Sequence, residues 1–562
     1  FTTFMKNTLL LAIFILGSTS VFSQLDRGNF SGNMETTFQY LNEDSLIGAT
    51  QPPSKGLMNT YMNVFYTHGN FKAGMRFESY LPRIQGYPNN FDGTGIGMRY
   101  VGYANDFIDV TLGTFYEQFG TGLALRIYED RALGYDNMLD GVKVKLTPYK
   151  GVLIKGVYGY QRLSFTGGRI NYSSGIVRGV DGEIHLNETF AKLAEKKLDV
   201  TIGASLVSKY QEDDNPDLIL PENVGTYGGR LKLRYSGFTL EGEYVTKGQD
   251  PSVDNGNIYN LGHATVINAG YSQKGLGILL SAKSVDNMSY RSDRNQQLQN
   301  VLINYLPSLN KTHTYNLVSS LYPYATQPVG EIAFQAEVLY TIKKGSALGG
   351  KYGTSINANY STAFRPMRHT SGIDPTDSSG VAYSTTPFDL SDSLLWRDFN
   401  INISRKFTKN FNMIVSYFNI VLNNDIATVT KVKGNIYTHT WVVEAGYKFK
   451  NKSSIRVEGQ YMLVNRIDSL ENRVPYSDAN GTPTDYGDWV TGVIEYTINS
   501  NWFVSVMNQY NLGSSTHGSE HHPYLTVGFV KDATRLTASY GRQRAGMFCV
   551  GGVCRPVPAS NG

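Results

Sequence analysis

From about residue 28 to 543 this chain repeats one pattern, in which apolar and polar side chains alternate for roughly 9 to 12 residues and a turn follows. In the stretch Phe71 to Leu81, Phe71, Ala73, Met75, Phe77 and Leu81 fall on one face, and Lys72, Gly74, Arg76, Glu78 and Tyr80 on the other. Leu231, Leu233 and Tyr235 alternate in the same way with Arg230, Lys232 and Arg234, and Ile455, Val457 and Tyr461 with Arg456, Glu458 and Gln460. Successive side chains of a strand point to opposite faces, so charges at every second position require a wet face and their neighbours a dry one. Two architectures satisfy that demand. A soluble sandwich puts the wet face outside, whereas a transmembrane barrel puts it in the lumen.

Connection lengths separate the two. Short turns occur at His68-Gly69-Asn70, Lys150-Gly151, Ser236-Gly237, Lys274-Gly275, Lys409-Asn410 and Asn451-Lys452. Long connections lie between them, near 41 to 56, 82 to 93, 119 to 139, 163 to 177, 285 to 329 and 364 to 396. Outer-membrane barrels have short periplasmic turns and longer extracellular loops, while a sandwich has no reason to sort its loops by parity. The 39 Tyr, 27 Phe and 58 Gly suit aromatic girdles and crowded turns. The longest apolar run, Leu9 to Gly17, is about half of the ~20 residues a spanning helix requires.

The expected fold is therefore all-β, a large antiparallel transmembrane β-barrel. About 23 candidate strands can be placed, an odd number where bacterial barrels are even. This predicts about 24 strands when complete, with the last strand missing from this chain and an open seam beside the first strand at 28 to 40.

The first residues set the compartment. Met5-Lys6 opens a charged region, Leu9 to Leu16 is an apolar core, and Val21-Phe22-Ser23 before Gln24 reads as a cleavage site. Residues 1–23 are expected to be a signal peptide with four upstream residues, and 24–562 a single barrel in the cell outer membrane. The formal net charge of +4 comes without a long basic block, so no nucleic acid is expected as partner.

So wide a barrel encloses more volume than strand side chains fill. The connection at 285–329 is the expected plug or rim loop. Leu298, Val301, Leu302 and Tyr305 share a helical face there, with Ser292 as cap and Pro307 as stop. Tyr315, Leu317, Leu321, Tyr322 and Tyr324 follow, an apolar run unlike a solvated loop.

The candidate chemistry is electrostatic. Arg230, Lys232 and Arg234 on one strand and Glu241 and Glu243 on the next form a charge ladder on the lumen side, where cross-strand pairing is expected. It reads either as a selective constriction or as ordinary padding of a hydrated wall. Asp213, Asp214 and Asp217, Asp250 and Asp254, and Asp374 and Asp377 cluster in loops without an EF-hand pattern. His517, Glu520, His521 and His522 lack helical metal-ligand spacing. No metal and no cofactor is expected, and no catalytic motif is found, so the chain is not expected to be an enzyme. Cys549 and Cys554 flank Gly551-Gly552, and in an exported protein a disulfide is expected.

The segment 546–562, with Tyr271 to Gly277, Arg291 to Asn295 and Tyr322 to Pro328, resembles a family of Bacteroidota outer-membrane β-barrel proteins that carries a domain of unknown function. The resemblance implies location and architecture, with no activity to carry over. A channel or transporter for an unidentified solute is expected, embedded in outer-membrane lipid. The alternative is an occluded structural or assembly barrel whose extracellular loops bind other outer-membrane proteins.

Overall fold

The computed structural model describes residues 28–423, 435–467, 487–512 and 520–562. The expected signal peptide, His517 and parts of two long connections lie outside the described residues. Within them a single sheet of 24 strands runs antiparallel, each strand pairing with the next in chain order. It begins with Asn29–Tyr40 against Gly56–His68 and proceeds to His521–Lys531 against Thr534–Gln543. Short connections enforce that order, because two-residue turns join only antiparallel neighbours. At Ser236-Gly237 both residues have positive φ, 46° and 93°, the twist that matches a tight hairpin.

The alternation read from the sequence sorts the two faces. Leu206 stands opposite Val180 and Tyr227 across its two neighbours, and all three are exposed. One position along, Asp181 stands opposite Ser205, and both are buried. At these positions the charged and hydroxyl side chains turn inward and the aliphatic and aromatic ones outward. Near the short turns the outward face carries a belt of paired rings: Phe30 with Tyr66, Phe71 with Tyr103, Phe238 with Tyr271, Phe407 with Phe411, and Trp502 with Phe529. A curled antiparallel sheet with an apolar exterior, a polar interior and an aromatic girdle is a membrane-spanning barrel, and the protein is an outer-membrane β-barrel. Among the described residues no helix is long and apolar enough to cross a membrane.

The circuit joins at one rim. The two-residue strand Ser560–Asn561 pairs with Gln543 and Arg542 and bridges to Asn42, whose N–H donates to the Asn561 carbonyl at 2.8 Å. Asp44 accepts from both Arg542 Nε (2.6 Å) and Asn561 Nδ2 (3.0 Å). Along the rest of their length, among the described residues, Asn29–Tyr40 pairs only with Gly56–His68 and Thr534–Gln543 only with His521–Lys531.

Two local expectations need correction. The connection placed at 163–177 is a tight hairpin: Val152–Thr166 and Arg169–His185 pair out to Thr166 opposite Arg169, around Gly167-Gly168. Both glycines have positive φ, and the alternation was obscured by register shifts between Tyr160 and Ser164. The helix expected from Ser292 is absent. Leu298 and Val301 adopt φ of 56° and 46°, which no right-handed helix accommodates, and Arg291 bridges to Leu302 instead. Leu298 is exposed, so the apparent apolar face does not exist as a face. A single helical turn lies further on, at Asn316–Ser320.

Burial is uneven along the barrel axis. In Gly56–His68 the buried positions are Leu57, Asn59, Tyr61 and Asn63, nearest the long connection, and His68 at the short turn is exposed. The core therefore sits inside the barrel at the long-connection end.

Candidate functional site

The inner wall at that end is charged, and connecting segments meet the charges. Arg76 Nε contacts Glu78 at 2.7 Å, its Nη1 contacts Glu129 at 2.9 Å and its Nη2 Asp136 at 2.8 Å. Arg162 spans Glu78 (2.8 Å) and Asp136 (2.9 Å) from the far side. Glu78 has room to lie across the sheet because Gly97 stands beside it, where any side chain would strike the carboxylate. Tyr80 donates to Glu78 at 2.9 Å, and Tyr61 and Tyr87 close the group with a 2.6 Å hydroxyl contact. Arg76, Glu78 and Arg162 are strand residues, whereas Glu129 and Asp136 come from the segment 116–138, which folds into two small antiparallel pairs. Burial pushes the Glu129 carboxyl up, with Asp136 adding to the effect against the pull of Arg76 and Arg131.

The predicted ladder is divided. Arg230 is in register with Glu243, yet its guanidinium turns the other way, to Asp181 (2.7 Å) and Glu183 (3.0 Å). Gly203, opposite Arg230 on the intervening strand, leaves the space that this reach requires. Glu243 instead accepts the Thr121 N–H at 2.7 Å, tying the wall to the segment 116–138. Lys232 and Glu241 approach to 3.8 Å, each about a third exposed, and Arg234 stands opposite Asp199 and Thr239. Of the five residues Arg230, Lys232, Arg234, Glu241 and Glu243, only Lys232 and Glu241 face each other as an ion pair.

Segment 287–329 meets the inner wall by both kinds of contact. Met288, Tyr290, Ile303 and Leu306 pack with the inward Val177, Val207, Val245 and Val266, together with Phe119 and Leu125 of the first segment. Leu317, Leu321 and Tyr324 pack with Leu395, Trp396 and Phe418. Polar anchors interleave. Lys247 Nζ donates to the Ser289 carbonyl and Lys283 Nζ to the Pro307 carbonyl, both at 2.6 Å, and Lys283 also pairs with Glu331. His313 meets Asp398 at 2.7 Å, and Gln509 donates to Asn316. Asp250, one of the loop aspartates, is engaged by Lys209 at 2.7 Å, and Asp254 by Arg291 at 2.9 Å. Asp213 and Asp374 receive neighbouring backbone N–H groups, as turn residues do.

Cys549 and Cys554 are joined in a disulfide across the hairpin Gly546–Val550 and Val553–Val557. That hairpin lies on the second segment: Tyr305 donates to the Gly551 carbonyl (2.8 Å), Gln299 to the Cys554 carbonyl (2.6 Å), and the Thr326 N–H to Gly552 (3.1 Å). A cleft of about 530 Å³ remains between the wall at Asn33, Glu35, Asn63 and Arg76 and the segment residues Glu129 and Arg131.

Arg76 and Glu78 fall on the wet face by alternation, but their joint burial, and the parts taken by Asp136, Arg162, Asp181 and Glu183, are not legible in the sequence. The available signal was an opposite-charge pair two residues apart at the strand end that feeds a long connection.

Several solved structures align with this chain at low identity. The P pilus usher PapC translocation pore is 9% identical, with 95% of this chain and 98% of that one covered at a TM-score of 0.40. The copper transporter OprC is 9% identical over 95% of this chain and 80% of that one, at 0.38. The outer membrane protein opdK from Pseudomonas aeruginosa is 11% identical over 85% and 97%, at 0.33. Such distant likenesses assign no cargo, and the fold rests on the strand pairing itself. No curated protein matches the chain in sequence. A family model does, across residues 5–562, and the chain belongs to that family of unknown function (DUF6029).

Proposed function

We propose that this protein is a channel or transporter for a hydrophilic solute, without enzymatic chemistry, in which the segments 116–138 and 287–329 act as an internal plug. The observation that carries this reading is the polar character of the anchors. Lys247, Lys283 and Gln509 hold the second segment through hydrogen bonds to Ser289, Pro307 and Asn316. Water replaces such contacts when the segment moves, at about 1.5–3 kcal/mol for a hydrogen bond from a charged group and about 1 kcal/mol for a neutral one. The cleft beside Arg76 and Arg131 gives a hydrated start to a passage.

The apolar contacts favour a second reading. Tyr290, Ile303 and Leu317 are fully buried among wall residues, as in a permanently occluded barrel whose outer loops dock partner proteins. Planar-bilayer recordings separate the two. Deleting residues 290–325 should convert a low, intermittent conductance into a large steady one. A folded deletion variant with unchanged conductance would sink the plug assignment and favour occlusion.

A further inference from the structure

The short-turn rim carries a sector of unpaired positive charge, and we propose that it binds anionic phospholipid headgroups of the adjoining leaflet. Three successive turns, joining the strands from Gly330–Ile342 to Ser454–Ile467, make up this sector. The first carries Lys343, Lys344 and Lys351, the second Arg405, Lys406 and Lys409, and the third Lys448, Lys450 and Lys452. No Asp or Glu occurs in 341–355, 405–412 or 447–455. All these cations are exposed except the half-buried Arg405, and among the described residues none makes an ion pair. At several other turns of the same rim acidic residues accompany the basic ones, namely Asp106 and Asp109, Glu188 and Glu195, and Asp199 and Asp532, whereas Lys274, next to the sector, has none nearby.

The level of the sector in the membrane identifies the occupant. Phe407, Tyr447 and Phe449 are exposed and outward-facing within a residue or two of these cations, and Phe407 and Tyr447 belong to paired rings of the girdle. Aromatic girdles mark the membrane interface, so the ammonium groups sit at headgroup depth, where lysine stems lie along apolar surface and the charges reach phosphate. Arg405 stacks over Phe407 (5.2 Å), which holds it near the ring plane of the belt, while Lys406, on the face of Asp398 and Asn400, lies over Tyr352 (5.4 Å). An acidic periplasmic protein would need no such belt. With short turns on the periplasmic side, the leaflet concerned is the inner one of the outer membrane.

Native mass spectrometry of the full chain in detergent tests this, with phosphatidylglycerol and phosphatidylcholine of equal acyl length as probes. The wild type should retain the anionic lipid about tenfold better or more, since several surface lysines each add to such attraction. Replacing Lys343, Lys344, Lys351, Lys409, Lys450 and Lys452 together by Gln should bring the two lipids to parity. A control carrying Lys150→Gln and Lys531→Gln should keep the preference. Heat-modifiable gel mobility reports whether each variant is folded. Should the multiple variant fail that check, the wild-type preference must still collapse between about 0.1 and about 1 M salt, as the Debye length falls from about 10 to about 3 Å. Equal retention of both lipids by the wild type, an undiminished preference in the folded variant, or salt-insensitive retention would each overturn the proposal. So would binding of a polyglutamate peptide with no lipid discrimination.

Discussion

The two ends of this barrel handle the same kind of side chain in opposite ways. At the long-connection end Arg76 and Arg162 are almost wholly buried, the first against Glu78, Glu129 and Asp136, the second against Glu78 and Asp136. At the short-turn rim Lys409 and Lys450 are exposed, with no carboxylate partner among the described residues. A cation withdrawn from water must be given counter-charges, because its desolvation costs several kcal/mol. One left in water needs none, and its pairing would contribute little. The contrast teaches that charge at the filled end serves specificity of packing, and at the open end remains available to the surroundings.

The sharpest way to break this comparison is to ask which end faces out. Ile219→Cys lies in a long connection at 76% exposure and should react with an impermeant thiol reagent in intact cells. Lys409→Cys should react only after permeabilisation, and the reverse pattern would invert the topology. Next in size is the filled end itself. Arg162→Ala leaves Glu78 and Asp136 short of a counter-charge and should cost about 3–5 kcal/mol in urea unfolding from lipid. A loss below about 1 kcal/mol would mean that water already reaches the network.

Smaller effects sharpen the same axis. Replacing Cys549 and Cys554 by Ser should cost at most about 2 kcal/mol, because the bridge closes a short loop. Unreduced mass spectrometry should find the wild-type pair oxidised, and two free thiols in exported protein would refute the bridge. The smallest change is expected at the open end: Lys450→Gln should shift unfolding by less than about 0.5 kcal/mol. A larger destabilisation would show that the rim cations hold the fold rather than face lipid.

The barrel was legible in the chain because its cause is local. Leu231 and Lys232 take opposite faces wherever the strand lies, and Ser236-Gly237 makes a hairpin whatever surrounds it. The site was much less so. Adjacency pairs Arg230 with Glu243, but Asp181 and Glu183 compete from two strands away, and Gly203 decides in their favour by leaving the path open. Leu298 and Val301 mimicked a helical stripe because a spacing of three and four carries no information about φ once the chain is held by distant walls.

Period-two alternation and turn chemistry act between neighbours, so the all-β class, the strand order, the lipid-facing side of each strand and the end that carries the long connections follow from the chain alone. How the interior is filled, and which charges pair, depends instead on contacts between distant parts of the folded chain. Asp136 and Arg162 are brought together with Arg76 and Glu78 by the curvature of the whole sheet and the return of a connection into it, and no local rule encodes a distance across a barrel.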